Sequence, residues 1–230
     1  MDPRFQTLDQ ASLYESSRAA GMGLFPHAVL AIPRMGNVIQ RNLFQYFDHI
    51  PGLPDFLQHI HKYVEDWVRV FYTTLYVGPD REYIQFMFQG RPVKLYKGNV
   101  AILLGLELSD RRLHTDVYGD SKPPRCLKNE RTVLLDDEVR SLFREGARER
   151  TPPQLTPESG IIHRAMRRTL MPRSGYREGI TTLQQHLLRA LMQRIRFCVV
   201  DFLIAEVEDM ITDGMGAPRS FPFAHYISQC

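Results

Sequence analysis

The sequence predicts a mainly α domain, bundle-like, with one small β-hairpin inserted in it. Three observations carry that reading. Apolar residues recur at helical spacing over residues 54–76 and through most of the C-terminal half. Helix caps and stops stand at the ends of several of these runs. Between residues 83 and 96 the apolar period shortens to two about a Gln89-Gly90 corner.

Taken in order, residues 1–35 read as an N-terminal arm, with a short helix near 4–19 and an irregular apolar stretch at 24–32 punctuated by prolines and glycines. A second helix is expected over 37–49, with Val38, Leu43, Phe44 and Phe47 inward. The turn Pro51-Gly52-Leu53-Pro54 ends it, because proline cannot continue a helix but suits the first turn of the next. Phe56, Ile60, Val64, Trp67 and Phe71 then fall on one face of a helix over 54–76, which is the face burial requires. Tyr83–Phe88 and Arg91–Tyr96 are two β-rich runs, and Gly90 between them supplies the positive φ of a tight turn. Asn99–Leu104 is a short helix closed by Gly105.

Residues 109–132 are polar and hold Gly119, Pro123 and Pro124, which marks this connection as the internal break in an otherwise single domain of residues 36–230. Asp136 or Asp137 caps a helix carrying Val139, Leu142 and Phe143. Thr156 followed by Pro157 opens a helix with Ile161, Ile162, Ala165, Met166 and Leu170. Thr181 and Gln184 form a capping-box pattern before Leu183, Leu187, Leu191 and Ile195. Neither proline nor glycine occurs from Leu183 to Asp213, so one long helix or two abutting ones follow. Pro222–Ser228 begins a last helix, and the stop at Cys230 without a polar tail suggests a segment of something longer.

The composition is that of a folded globular chain, with 43% hydrophobic and 24% charged residues among 230. A formal net charge of +3 is mild for a dedicated nucleic-acid binder. Cys126, Cys198 and Cys230 are widely spaced and odd in number, a poor disulfide framework, so an intracellular setting, nuclear or cytoplasmic, is expected. Met1-Asp2-Pro3-Arg4 opens no signal peptide, and the apolar run Phe197–Val207 is interrupted by Asp201 and Glu206. No membrane segment is expected.

No catalytic, cofactor or metal constellation is apparent. His59 and His61, two apart on an expected helix, point to different faces and cannot chelate as an i, i+4 pair would. His163, His186 and His225 lack Cys or Asp at ligand spacing, and a zinc site assembled with Cys126 and Cys198 is set aside. Nucleophile-elbow and phosphate-loop motifs are absent. Asp136-Asp137 suits a helix N-terminus and Glu208-Asp209 a polar helix face. These readings point away from an enzyme and give no small-molecule substrate.

Charge is distributed unevenly. Arg164, Arg167, Arg168, Arg173, Arg177, Arg189, Arg194 and Arg196 lie within residues 161–200, where Glu178 is the only acid; Asp201, Glu206, Glu208, Asp209 and Asp213 follow without a base. These arginines are the candidate contacts for a partner or for nucleic-acid phosphates. The plainer reading is a solvated helix face or pairing with acids of a neighbouring helix, and it is preferred because aromatics that stack bases are not interleaved with them.

Several segments in this order resemble the plant transposon protein domain found in polyproteins of long-terminal-repeat retrotransposons. They are Trp67-Val68-Arg69-Val70-Phe71-Tyr72-Thr73-Thr74-Leu75, then Phe88-Gln89-Gly90-Arg91-Pro92-Val93 with Val100-Ala101-Ile102-Leu103-Leu104-Gly105-Leu106. His163, Leu170-Met171-Pro172-Arg173, Ile180-Thr181 and Phe221-Pro222-Phe223 follow. The hairpin with its Leu-Gly-Leu helix end also resembles the plant mobile domain. The resemblance implies a non-enzymatic interaction or assembly segment of a mobile element, or of a host gene built from one. Protein contact or self-association is then the expected activity, with nucleic-acid binding through the arginine-rich helices as the alternative.

Overall fold

A computed structural model describes residues 2–19, 43–58, 63–118, 137–171 and 179–212, together with Phe223 and Ile227. The chain is mainly helical with a small three-stranded antiparallel sheet. In chain order the elements are α1 (Leu8–Ala19), α2 (Leu53–Gln58), α3 (Glu65–Thr74), β1 (Tyr76–Val77), β2 (Tyr83–Phe88), β3 (Arg91–Tyr96), α4 (Lys97–Leu104), α5 (Leu113–Tyr118), α6 (Asp137–Arg140), α7 (Pro157–Arg168), α8 (Thr182–Met192) and α9 (Val199–Thr212).

The hairpin forms where the alternating pattern places it. Phe88 pairs with Arg91 and Tyr83 with Tyr96, and the two corner residues Gln89 and Gly90 adopt φ of 48° and 76°. Two consecutive positive φ values give a turn whose twist matches that of the flanking strands. The short third strand β1 joins β2 through Tyr76–Gln85 and Val77–Ile84. Ile84 and Phe86 face the main core, where Phe86 meets Phe71 of α3 at 4.9 Å between ring centroids.

Local capping accounts for several helix ends. Gln184 N–H donates to Thr181 Oγ1 at 3.3 Å and Thr181 N–H to Gln184 Oε1 at 3.1 Å, the reciprocal box its spacing predicts. Thr156 Oγ1 accepts from Ser159 N–H at 3.2 Å, and Pro157 takes the first helical position of α7. Thr7 and Gln10 make the same kind of box ahead of α1. Helix α4 starts two residues earlier than the sequence reading has it, with Asn99 Oδ1 accepting from Tyr96 N–H. Gly105, at φ 64°, closes α4, and Leu106 N–H reaches back to the Ala101 carbonyl.

The helix expected over 54–76 is two helices. Val64 is extended, Tyr63 lies in no helix, Ile60 lies outside the described residues, and α3 begins only at Glu65. Phe56 and Phe71 are in the core as expected, but Val64 and Trp67 are 44% and 40% exposed. Periodicity ran on across a break it cannot detect. Trp67 packs edge-on against Phe88 at 5.1 Å, at the margin of the core. Helix α3 is instead buried on two sides, with Val68, Phe71 and Tyr72 toward the main core and Val70 toward α1.

That second contact is a small cluster of its own: Phe5, Tyr14, Val70 and Met87. It is fastened by polar contacts, in which Arg4 Nη1 meets Asp66 at 3.2 Å and Tyr14 Oη donates to the same carboxylate. Arg69 bridges Glu65 at 2.6 Å and the Ser17 carbonyl at 3.3 Å.

Of the two readings for residues 183–213, two helices is the correct one. Helix α8 ends at Met192 although no glycine or proline stands there. Arg194 takes the left-handed conformation at φ 55°, Ile195 N–H bonds the Ala190 carbonyl at 2.8 Å and Arg194 N–H the Leu191 carbonyl at 3.3 Å. This is the hydrogen-bond pattern of a helix end that normally uses glycine. The polar stretch expected at 109–132 contains α5, with Leu113 and His114 buried, while 119–136 lies outside the described residues. In the 37–49 helix, 37–42 also lies outside. Residues 45–49 form turns, with Leu43 and Phe47 buried and Phe44 half-buried. The 24–32 stretch and most of 222–228 likewise fall outside.

Helix α9 is buried on all sides from Val199 to Val207. An acid inside such a helix requires compensation, and Asp201, fully buried, has it from three separate segments. Lys97 Nζ stands 3.3 Å from Oδ1, Arg112 Nε 3.0 Å from Oδ1, and Arg81 Nη1 3.6 Å from Oδ2. Arg112 also donates to the Asp80 carbonyl at 2.6 Å, and Arg81 pairs with Glu208 at 3.1 Å. Asp80 and Arg81 sit at φ 52° and 57°, a left-handed pair that non-glycine residues adopt at a cost, held here by these contacts.

Two stability predictions follow from this architecture. Gly90→Val should cost about 1 kcal/mol or more, because a β-branched residue resists positive φ and its Cβ would stand 3.1 Å from the Pro3 carbonyl oxygen. An unchanged urea midpoint would refute the turn's role. Asp201→Ala should cost roughly 3–5 kcal/mol, since it strands three cations around a buried site. A loss well under 1 kcal/mol in equilibrium unfolding would show that water can reach and solvate them.

Candidate functional site

Helix α4 presents the most unusual surface. Its sequence, Lys97-Gly98-Asn99-Val100-Ala101-Ile102-Leu103-Leu104, is apolar over its last five residues, more than one helical face can bury. Val100, Ala101 and Leu104 enter the core. Ile102 is 80% exposed and Leu103 43%, and Leu108, just past the Gly105 stop, is 46% exposed. The helix cannot rotate to hide them, because Lys97 at its first turn is held by Asp201 and by Glu82 at 3.2 Å, and Gly105 fixes its end.

The rim of this patch is charged. Glu107, between Leu106 and Leu108, pairs with Arg196 at 3.1 Å. Apolar residues at the centre with an ion pair at the edge is the arrangement of a protein interface. Beneath α4 lies an apolar pocket lined by Val100, Leu104, Phe71, Ile84, Leu203 and Val207. Its lining offers no polar group to orient a small ligand.

The candidate arginines are dispersed. Arg164, Arg167 and Arg168 lie on α7, Arg189 on α8, and Arg194 and Arg196 in the α8–α9 break; Arg173 and Arg177 lie outside the described residues. Arg194 pairs with Asp48 at 2.9 Å and also donates to the Gln45 carbonyl. Arg196 is taken by Glu107, and Arg189 Nε donates to Gln193 at 3.0 Å. Arg164 and Arg168 are exposed, one turn apart on α7. Neither has an acidic partner among the described residues.

Among the described residues no cluster of three or more His, Cys, Asp or Glu side chains is placed to hold a metal ion. Cys198 is buried as a free thiol; Cys126, Cys230, His59, His61 and His225 lie outside the described residues. His163 is buried in α7, and its Nε2 has no hydrogen-bond partner among the described residues. Burial, reinforced by Arg167 and Arg164, pushes its imidazole down to about 4.

Sequence reasoning passed over the α4 patch, quoting Ile102 and Leu103 only as part of a motif. The available signal was five consecutive apolar residues on a helix too short to surround. Asp201 entered the sequence reading as an interruption in an apolar run and as one of the acids that follow the arginines, not as a buried charge. The signal there was a carboxylate that burial would oblige to find cations.

The His163 environment yields a pH prediction. The unfolded chain takes up a proton near the ordinary imidazole value of 6.5, whereas the folded chain refuses it until about 4. Stability is therefore full above 6.5 and falls as the pH drops toward 4, by up to roughly 3 kcal/mol. Urea midpoints measured across that window should show this loss, and His163→Leu should flatten it. An equally steep acid limb in the variant would assign the loss to other groups.

Compared with known proteins, the chain matches no family model, no curated protein and no solved structure.

Proposed function

We propose that this chain is a non-enzymatic assembly module whose outer α4 face docks a protein surface, in the first instance a second copy of itself. The observation that carries the reading is Ile102, 80% exposed, beside half-exposed Leu103 on a helix fixed at both ends. A rigid, pre-positioned apolar patch loses little entropy when covered, so its burial contributes directly to association. The Arg196–Glu107 pair sets the rim and the register. The resemblance to retrotransposon polyprotein segments supports an origin in a mobile element or a host gene built from one, acting inside the cell as a bundle-like helical module.

The second reading, phosphate contact through the arginine-rich helices, draws on exposed Arg164 and Arg168. It is weaker, because Arg194 and Arg196 already serve acids of this chain.

Sedimentation analysis over a range of concentrations tests the assembly reading. The wild-type chain should associate with rising concentration. Ile102→Asp should abolish that while leaving stability within about 0.5 kcal/mol, as is usual for an exposed site. A wild-type chain that stays monomeric to its solubility limit, or a variant that associates equally well, would sink the proposal.

A further inference from the structure

The sheet has a second face, turned away from the main core. Strand alternation places Tyr83 and Gln85 of β2, Lys94 and Tyr96 of β3, and Tyr76 of β1 together on it. Tyr83 forms the centre of a row, with Tyr76 at 6.2 Å on one side and Tyr96 at 6.0 Å on the other, between ring centroids. The central ring is built into the structure. One side of it lies across Gly78, where even a Cβ would come within 2.4 Å of Tyr83 Cε1. Lys94 Nζ stands 3.7 Å from its centroid and 5.0 Å from that of Tyr96. The outer rings differ: Tyr76 and Tyr96 are each 54% exposed.

A cross-strand aromatic row with a cation–π contact would by itself stabilise a hairpin. Three features go beyond that role. Two large rings stay open to solvent at either end of the row. Lys94 is exposed and has no acidic partner among the described residues. Among the described residues no carboxylate stands with the strand side chains of this face, and Gln85 adds an amide that can both donate and accept.

We propose that this face is a stacking platform for single-stranded nucleic acid. Bases stack on Tyr76 and Tyr96, and the connecting phosphate passes over Tyr83 to meet the Lys94 ammonium. Every base offers a π-face, so recognition is sequence-tolerant, and an exposed cation without an acidic partner among the described residues suits a phosphate backbone. A proline-rich peptide would also stack on exposed tyrosines, but it brings no anion to engage Lys94. The platform is separate from the α4 patch, and the two proposals stand or fall independently.

Fluorescence anisotropy of the full chain with labelled oligouridylate and oligothymidylate tests it, the two probes separating RNA from DNA. The wild-type chain should bind at least one of them. Tyr76→Ala and Tyr96→Ala should each weaken binding at least about fivefold, while Tyr96→Phe retains it, since stacking needs the ring and not the hydroxyl. Lys94→Gln should weaken binding and reduce its salt slope by about one. Ile102→Asp should leave it unchanged, which separates this result from the fate of the assembly reading. Three outcomes would overturn the proposal: no binding of either oligonucleotide, binding indifferent to both tyrosines but lost in Arg164→Glu with Arg168→Glu, or Tyr96-dependent capture of a polyproline peptide in their place.

Discussion

One buried carboxylate organises the centre of this molecule. Asp201 stands in the first turn of a helix that is buried from Val199 to Val207, where its charge would be prohibitive alone. Its three cations come from the turn after β1, from the start of α4 and from the segment leading into α5. Each segment is thereby referred to the same atom pair. Close by, Cys198 N–H bonds the Arg111 carbonyl at 2.8 Å, fixing the α5 approach against the start of α9. Hydrophobic burial would bring these elements together in many relative placements. The charged cluster tolerates far fewer, because removing any partner leaves the rest undercompensated.

The α4 patch and the tyrosine row both depend on that fixation. Lys97 is the hinge point between them: Tyr96 precedes it on the sheet, and Ile102 follows one and a half turns later on α4. With Lys97 anchored on Asp201 and Glu82, the tyrosine row and the aliphatic patch are carried by one rigid connection. A partner, were one to bind either surface, would not have to order it, which is where flexible binding segments lose much of their free energy.

Much of the local structure was legible in sequence because its causes are local. The Thr181–Gln184 box, the Thr156-Pro157 start, the Gly105 stop and the Gln89-Gly90 turn are each decided within a few residues. The misreadings share a different cause. Trp67 fits a helical stripe, yet the stripe's register was set across an extended step at Val64, and α3 was rotated by the demands of α1 and β2 together. Arg194 ends α8 in a conformation that favours glycine, and its tertiary contacts with Asp48 and Gln45 are invisible in a list of residues. The candidate site was least legible. Ile102 and Leu103 stood only within a motif whose exposed face the sequence does not mark, and the tyrosines, separated along the chain, become a row only once β1 pairs with β2.

The attachment of α1 carries a consequence of its own. This helix, through Tyr14 and Ala11 and with Phe5 ahead of it, meets Val70 and Met87 of the body, with a few polar ties, in a cluster apart from the continuous core. Its detachment is therefore governed by a free energy separate from that of global unfolding, and a smaller one. An opening of that kind would release the helix while the remainder stays native, baring Val70 and Met87. The apolar surface beneath the N-terminal helix is thus one that a local opening, rather than denaturation, would expose.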